Sequence, residues 1–187
     1  MSSYDKYYQT KNLFGEANRE LLSYLENVSK DLKVLDLGCG QGRNAIALAQ
    51  LGFTVTGVDQ SKVGIDQMQE FAQKENLELI GLVADIFQFK QYNYYDIVLL
   101  DSMFHFAKKD KDKEVGLIQN ILSGMKTGAL LLVCIQDSGK KVQILKESIK
   151  TIEGPEIIQD KKFIYRFEDQ ESGHTSQSDY RMIVAKK

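Results

Sequence analysis

Several features that would assign the chain to a special class are scarce in its sequence. The 187 residues include one proline, two cysteines, two histidines and no tryptophan. Two cysteines do not build a disulfide framework, and Cys39 and Cys134 lie in glycine-rich and apolar segments typical of small buried side chains. The longest apolar run, residues 129–135, is too short to span a bilayer.

The sequence also has no large excess of positive or of negative residues. The net charge is −2, which gives no basic footprint for a nucleic-acid partner, and the first residues carry no basic and apolar signal region. With 43% hydrophobic and 27% charged residues, the composition is that of a globular protein. We expect a cytoplasmic protein with no membrane or nucleic-acid partner, a monomer or homodimer, with one domain over residues 1–187.

What the chain does contain is a glycine-rich corner at residues 34–45 (VLDLGCGQGRNA). An apolar run leads into three glycines, and residues 45–49 then resume at helical density, which predicts a strand, a loop and a helix. Glycine lets the backbone approach a ligand closely, and the free amides of the helix start supply hydrogen-bond donors. The corner therefore predicts a binding site for a cofactor.

Two cofactors compete for this corner. From Gly40 the sequence satisfies G-x-G-x-x-A, and Asp59 follows at a distance suited to a ribose hydroxyl, as in dinucleotide-binding folds. Asp36, just before the glycines, would repel an anionic pyrophosphate. S-adenosylmethionine (SAM) carries an ammonium and a sulfonium instead, so the same carboxylate would attract it.

Residues 35–44 resemble motif I of the class I SAM-dependent methyltransferases, and the run Gly42-Arg43-Asn44 is similar to the small tellurite-resistance and thiopurine-type members. The resemblance implies an α/β, doubly wound Rossmann-like sheet of seven strands with an antiparallel last strand and helices on both faces. Residues 1–30 would form an N-terminal lid and helix, and residues 31–187 the cofactor-binding core. The resemblance also implies cofactor contacts from Tyr8, Asp36, Gly38, Cys39, Gly40, Arg43, Asn44, Asp59, Gln60, Asp85, Ile86 and Asp101.

Two acidic residues end the next predicted strands. Asp59 follows residues 54–58, and its carboxylate suits the two ribose hydroxyls; the alternative is a charge favoured at a helix start, with Ser61 as the N-cap. Asp85 follows the strand at residues 79–83. The resemblance assigns Asp85 and the Ile86 backbone to the adenine.

The acceptor side is expected after the fourth strand, residues 96–100, because ligands of open α/β sheets bind beyond the carboxyl ends of the strands. His105 is the candidate general base, and the alternative is a loop histidine that only lines the pocket. Further candidate substrate contacts are Ser102, Phe104, Phe14 and His174.

Other chemistries are disfavoured by this segment. Methyltransferases that act on exocyclic amines of bases carry Asn/Asp-Pro-Pro-Tyr/Phe here, whereas the chain has only Pro155. Asp101 and the pair Asp137-Ser138 supply only part of the ligand set of a metal-dependent enzyme, so no metal is expected. Residues 108–114 alternate in charge and predict a solvated helix start.

The two ends of the chain complete the prediction. Tyr4, Tyr7, Tyr8 and Phe14 precede the first helix, and either pack on the edge of the core or form a lid whose rings face the sulfonium. Residues 162–167 and 180–185 are strand-like with no helix between them, which predicts an antiparallel pair. The polar loop 168–178 would then lie on the ligand side.

We therefore predict a SAM-dependent methyltransferase that acts on a small-molecule acceptor. Oxygen, nitrogen, sulfur and metalloid oxyanions all remain open as the accepting group. An NAD(P)-dependent oxidoreductase and a non-catalytic SAM-binding partner subunit are the alternatives from other classes.

Overall fold

A computed structural model describes residues 5, 8–10, 15–168 and 175–187, and within them helices alternate with strands. The strands are β1 Lys33–Leu37, β2 Thr54–Asp59, β3 Leu79–Val83, β4 Ile97–Asp101, β5 Leu130–Gln136, β6 Glu156–Glu168 and β7 Thr175–Lys186. The helices are α1 Arg19–Glu26, α2 Arg43–Gln50, α3 Lys62–Lys74, α4 Lys111–Gly124 and α5 Lys141–Lys150. A short 3₁₀ helix, Tyr92–Tyr94, precedes β4.

All seven strands form one sheet in the order β3-β2-β1-β4-β5-β7-β6. Strands β1 to β5 pair in parallel, while β7 pairs antiparallel with both β5 and β6. The direction of the chain across the sheet reverses between β1 and β4, which is where open α/β sheets place their ligands. The predicted Rossmann-like sheet with a reversed last strand is confirmed.

Each face of the sheet carries its own apolar core. Helices α1, α2 and α3 pack on one face, where Leu21, Leu48 and Met68 are fully buried, and α4 and α5 cover the other. Alternate residues of β1 point to opposite faces, so Val34 joins the first core and Leu35 the second. The same alternation turns Asp36 toward the face covered by α1 to α3.

Local signals explain where the helices around the corner begin. Ser61 caps α3 by accepting a hydrogen bond from the Gly64 amide at 3.2 Å, as its sequence position predicts. Asn18 caps α1 in the same way, with its side chain accepting from the amides at positions 20 and 21. Gly42, at φ 85°, precedes α2 without a side-chain cap, and the Ala45 amide in the first turn of α2 instead bonds to the Asp36 carboxylate.

The C-terminal hairpin is longer than the sequence predicts. β7 pairs with β5 from Lys186 to Tyr180, whereas β6 and β7 pair with each other up to Glu168 and Thr175. Residues 175–179 of β7 are all polar, so apolar alternation misses them, whereas their partners in β6 belong to the predicted strand 162–167 and its next residue; the ladder of backbone hydrogen bonds joins both. Residues 164–168 and 175–179 therefore project past the carboxyl end of β5, and residues 169–174 lie outside the described residues.

Two smaller expectations concern burial. Cys39 and Cys134 are buried and free, as expected of small core residues. The expectation of a solvated start for α4 is wrong for Glu114, which is only 6% exposed because its carboxylate turns inward to backbone amides. In the part of the chain that the structure describes, no helix combines the length and apolar character needed to cross a membrane.

Candidate functional site

A cavity of about 1150 Å³ opens at the carboxyl ends of β1, β2 and β4. It is bounded by the glycine loop after β1, by α2 and α3, by the segment after β4 and by the projecting hairpin. All twelve residues predicted to contact the cofactor line it: Tyr8, Asp36, Gly38, Cys39, Gly40, Arg43, Asn44, Asp59, Gln60, Asp85, Ile86 and Asp101. The structure therefore gathers into one cavity residues that are spread over about half of the chain.

The glycine loop has a backbone that other residues would not adopt without strain. Gly38 and Gly40 have φ values of 78° and 56°, in the left-handed region. A Cβ on Gly40 would lie 2.5 Å from the Tyr8 hydroxyl, and a Cβ on Gly64 would lie 2.7 Å from the Gly40 carbonyl oxygen. The loop is thus packed between the N-terminal segment and the first turn of α3, with no room for side chains.

Asp36 is the least satisfied polar side chain at the base of this cavity. It is 2% exposed, and its Oδ2 is buried without a hydrogen-bond partner. Burial raises its pKa to about 7; the neighbouring carboxylate of Asp101 adds to the rise, and the Arg43 guanidinium opposes it. A buried carboxylate with a vacant oxygen fits a ligand that brings a cation or a hydrogen-bond donor.

Asp59, at the end of β2, is held by backbone amides. Its Oδ2 accepts from the Gly40 amide at 3.0 Å and its Oδ1 from the Ser61 amide at 2.8 Å. Burial raises the pKa of Asp59, and these two hydrogen bonds oppose the rise. An ionised carboxylate offers about four lone-pair sites, so sites remain for two further donors such as ribose hydroxyls.

Asp101, at the end of β4, lies at the centre of a buried polar network. Its Oδ2 accepts from Arg43 Nη2 at 2.5 Å and from Asn44 Nδ2 at 2.9 Å, and its Oδ1 accepts from Asn18 Nδ2 at 3.4 Å. The Asn44 Oδ1 in turn accepts from the Asn18 amide at 3.0 Å. The start of α1, the start of α2 and the end of β4 are thereby joined through one carboxylate.

The adenine-side candidates line the opposite part of the cavity. Asp85 is exposed, and its Oδ1 accepts from the Phe87 amide at 3.0 Å, which fixes the turn after β3. Ile86 is buried and Gln60 is exposed at the cavity wall. Their roles toward a cofactor remain predictions.

The segment after β4 is shaped by an unexpected carboxylate. Glu114 accepts from the His105 amide at 3.2 Å and from the Phe106 amide at 2.5 Å, and Phe106 has a φ of 50°. The His105 side chain is left exposed at the cavity. Phe104, by contrast, is 3% exposed and stacks on the Phe106 ring in the core, so it lies away from the cavity that it was predicted to line.

Three more predicted positions are Tyr8, Phe14 and His174. Tyr8 is 4% exposed and lies against Gly40, with its carbonyl accepting from Gln67 Nε2 at 2.9 Å. This position is compatible with both interpretations of the leader, the edge of the core and the lid. Phe14 and His174 lie outside the described residues.

Sequence reasoning missed two tyrosines of the hairpin. Tyr165 and Tyr180 both line the cavity, with ring centroids 4.9 Å apart. Arg43 Nη1 donates to the Tyr165 hydroxyl, and the Tyr180 hydroxyl lies 3.2 Å from Ser102 Oγ. A signal was present, because Phe163, Tyr165 and Phe167 repeat with the period of a strand and so place aromatic rings on one face.

The cavity is acidic. Of the described residues that line it, eight are Asp or Glu and three are Arg or Lys. A cationic ligand is therefore favoured over an anionic pyrophosphate. Over the same described residues, no group of three or more His, Cys, Asp or Glu side chains is placed to hold a metal ion.

Comparisons with known proteins add family evidence. The family model of the tellurite resistance protein TehB matches residues 2–153. The chain is 34% identical over 101 residues to the "Probable S-adenosyl-L-methionine-dependent methyltransferase TehB" of Haemophilus influenzae (strain 10810). The aligned region covers 54% of this chain and 35% of that protein. It is 29% identical over 126 residues to the "Ubiquinone biosynthesis O-methyltransferase" of Rickettsia prowazekii (strain Madrid E), covering 67% of this chain and 48% of that protein.

A solved structure of TehB from Haemophilus influenzae superposes with a TM-score of 0.72 at 22% identity, covering 98% of this chain and 65% of that chain. At this identity the likeness shows a shared fold. The chain spans about a third of the length of the curated TehB relative and about half of the length of the Rickettsia relative.

Proposed function

The chain belongs to the tellurite resistance protein TehB family, and from this membership we propose that it binds S-adenosyl-L-methionine and transfers the methyl group to a small-molecule acceptor. The methyltransferase names of the curated relatives support the reaction class. The size and acidity of the cavity support a cationic cofactor together with a small acceptor.

The observation that carries the proposal is the vacant Oδ2 of Asp36. A buried carboxylate oxygen that lacks a hydrogen-bond partner costs free energy in the free protein, and an ammonium or sulfonium placed beside it would offset that cost. The pyrophosphate of a dinucleotide would add negative charge next to Asp36, Asp59 and Asp101. The corner therefore favours SAM over NAD(P).

The side chains divide the work in the following way. Asp36 and the loop amides hold the methionine end, Asp59 holds the ribose hydroxyls, and Asp85 with the Ile86 amide holds the adenine. When bound, SAM supplies a methyl group activated by the positive charge on sulfur. The protein's contribution is to fix this cofactor and the acceptor in line, which supplies much of the acceleration of such displacements.

His105 and Ser102 lie on the acceptor side of the cavity. His105 is the candidate for removing the acceptor's proton, because its exposed ring lies beside the cavity while its backbone is fixed by Glu114. Ser102 has a φ of 61° and turns the chain at the end of β4, so that its hydroxyl faces the hairpin.

Calorimetric titration with S-adenosylhomocysteine (SAH), and in parallel with NADH, tests the cofactor class. We expect SAH to bind and NADH not to bind. Asp36→Asn should weaken SAH binding, whereas the matched control Asp66→Asn should not, because Asp66 pairs with Lys62 on the exposed face of α3. NADH binding without SAH binding would overturn the proposal, and SAH binding without any methyl transfer would favour a partner-dependent subunit.

A further inference from the structure

The projecting hairpin presents two tyrosine hydroxyls to the cavity, and each is anchored to a different group on the sheet side. Arg43 Nη1 donates to the Tyr165 hydroxyl, and the Tyr180 hydroxyl lies 3.2 Å from Ser102 Oγ. The ring centroids lie 4.9 Å apart and both residues line the cavity, so the two tyrosines belong to one wall. What this wall can bind depends on which way each hydrogen points.

The direction of the Tyr180 hydrogen bond follows from hydrogen counting. Ser102 Oγ lies 3.1 Å from Asp101 Oδ1, and the Asp101 carboxylate, paired with Arg43, only accepts. Ser102 therefore donates its single hydroxyl hydrogen to Asp101. The bond between Ser102 and Tyr180 must then be donated by Tyr180, and the Tyr180 oxygen is left with lone pairs but no hydrogen for a ligand.

The Tyr165 hydroxyl makes its hydrogen bond to the protein in the opposite direction, as the acceptor. A guanidinium has only donors, so the Tyr165 oxygen accepts from Arg43 and retains its own hydrogen. None of the described residues accepts that hydrogen. Burial raises the pKa of Tyr165, although Arg43 opposes the rise, so the hydroxyl remains protonated at neutral pH. The positive charge of Arg43 also makes this hydroxyl a stronger donor.

Resting on the proposed function, we propose that Tyr165 and Tyr180 bind the methyl acceptor and select a neutral hydroxyl group. The acceptor oxygen receives the hydrogen bond of Tyr165, while the acceptor hydrogen is donated to the oxygen of Tyr180. A carboxylate meets only half of this pattern, because it has no hydrogen for Tyr180. The acidic lining of the cavity opposes an anionic acceptor further.

Ligand-observed NMR titrations of the SAH-saturated protein with phenol and with benzoate test this pattern on matched rings. We expect phenol to bind roughly tenfold more tightly than benzoate, as expected for one or two neutral hydrogen bonds together with charge repulsion. Tyr165→Phe and Tyr180→Phe should each weaken phenol binding by up to about tenfold and leave SAH affinity unchanged. Tyr94→Phe is the matched control, since Tyr94 is 64% exposed and does not line the cavity.

A further variant tests the direction of the hydrogen bond between Tyr180 and Ser102. Ser102→Gly removes the hydroxyl that receives the Tyr180 hydrogen, and glycine suits the φ of 61° at this position. Tyr180 then has a hydrogen to donate, so the preference for phenol over benzoate should fall by about tenfold. Thermal unfolding of each variant checks that the fold is retained.

The outcomes separate the two proposals. SAH binding combined with no phenol binding, with tighter binding of benzoate than phenol, or with phenol binding that neither tyrosine variant weakens would overturn the inference and leave the proposed function standing. Absence of SAH binding to the wild-type protein would instead contradict the proposed function.

Discussion

Asp59 Oδ2 accepts a hydrogen bond from the amide of Gly40 at 3.0 Å, which ties the end of β2 to the loop that follows β1. The other oxygen of the same carboxylate accepts from the Ser61 amide at the start of α3. One side chain thus fixes the positions of a loop and a helix start, and the same residue lines the cavity. The proposed ribose contact would therefore use a residue that also holds the loop and the helix start in place.

Asp59→Ala should therefore weaken SAH binding by a few kcal/mol, because charge-assisted hydrogen bonds to the ribose and the anchoring of the loop are lost together. Calorimetry of the variant beside Asp66→Ala, an exposed aspartate of α3, measures the effect. Equal SAH affinity of the Asp59 variant and the wild-type protein would remove Asp59 from the ribose site.

The raised pKa of Asp36 predicts how the free protein responds to pH. Between the usual pKa near 3.8 and the folded-state pKa of about 7, the folded protein holds a proton that the unfolded chain has released. Stability should therefore fall as the pH rises through this window, by on the order of 4 kcal/mol in total for this group.

Urea unfolding of the ligand-free protein at about pH 5 and about pH 8 checks this, with Asp36→Asn as the comparison because the amide does not titrate. The variant should lose less stability than the wild-type protein over this pH interval. Parallel pH profiles of the two proteins would mean that Asp36 is ionised in the free protein throughout the range.

The ion pair between Arg43 and Asp101 is buried, with side chains 15% and 2% exposed. Arg43→Met should destabilise the protein by about 3–5 kcal/mol, because it leaves the Asp101 carboxylate without its buried counter-charge. Lys62→Met removes the exposed pair with Asp66 and should cost at most about 1 kcal/mol. Chemical denaturation of both variants measures the difference, and similar losses would refute a central role for Arg43 in this network.

Two helical glycines give a matched test of loop packing. A Cβ on Gly64 in α3 would lie 2.7 Å from the Gly40 carbonyl oxygen, whereas a Cβ on Gly116 in α4 meets no atom within 4 Å. Gly64→Ala should destabilise the protein by about 1–3 kcal/mol and weaken SAH binding, because the loop must move. Gly116→Ala should stabilise it by about 0.5–1 kcal/mol through helix propensity alone. Thermal melts distinguish the two, and a Gly64→Ala protein with normal SAH affinity would show that the loop position is not critical.

Much of the fold could be predicted from local patterns in the sequence. The bounds of β3 and the Ser61 cap of α3 agree with prediction, because both depend on neighbours within a few residues. Motif I located the loop, and the acidic ends of β2 and β4 line the same cavity. Parallel strands bring their carboxyl ends to one edge, so these residues could be grouped without knowing the structure.

The contacts that complete the site join residues far apart in the chain. Asn18 and Asp101 are separated by 83 positions, and Arg43 and Tyr165 by 122, so no local pattern indicates their pairing. For Glu114, the local sequence predicts an exposed side chain, and this prediction is wrong. Its neighbours in sequence are charged and exposed, and only the folded loop after β4 provides the amides that draw its carboxylate inward.

The hairpin of β6 and β7 is attached to the rest of the sheet only at its base. At its base, residues 180–186 of β7 pair with β5, whereas residues 164–168 and 175–179 form a ladder only with each other. Opening the outer part breaks one ladder instead of two and leaves the parallel strands beneath it intact. Substitutions in the outer hairpin, including Tyr165, can therefore change one wall of the cavity while Asp36 and Asp59, on β1 and β2, keep their positions.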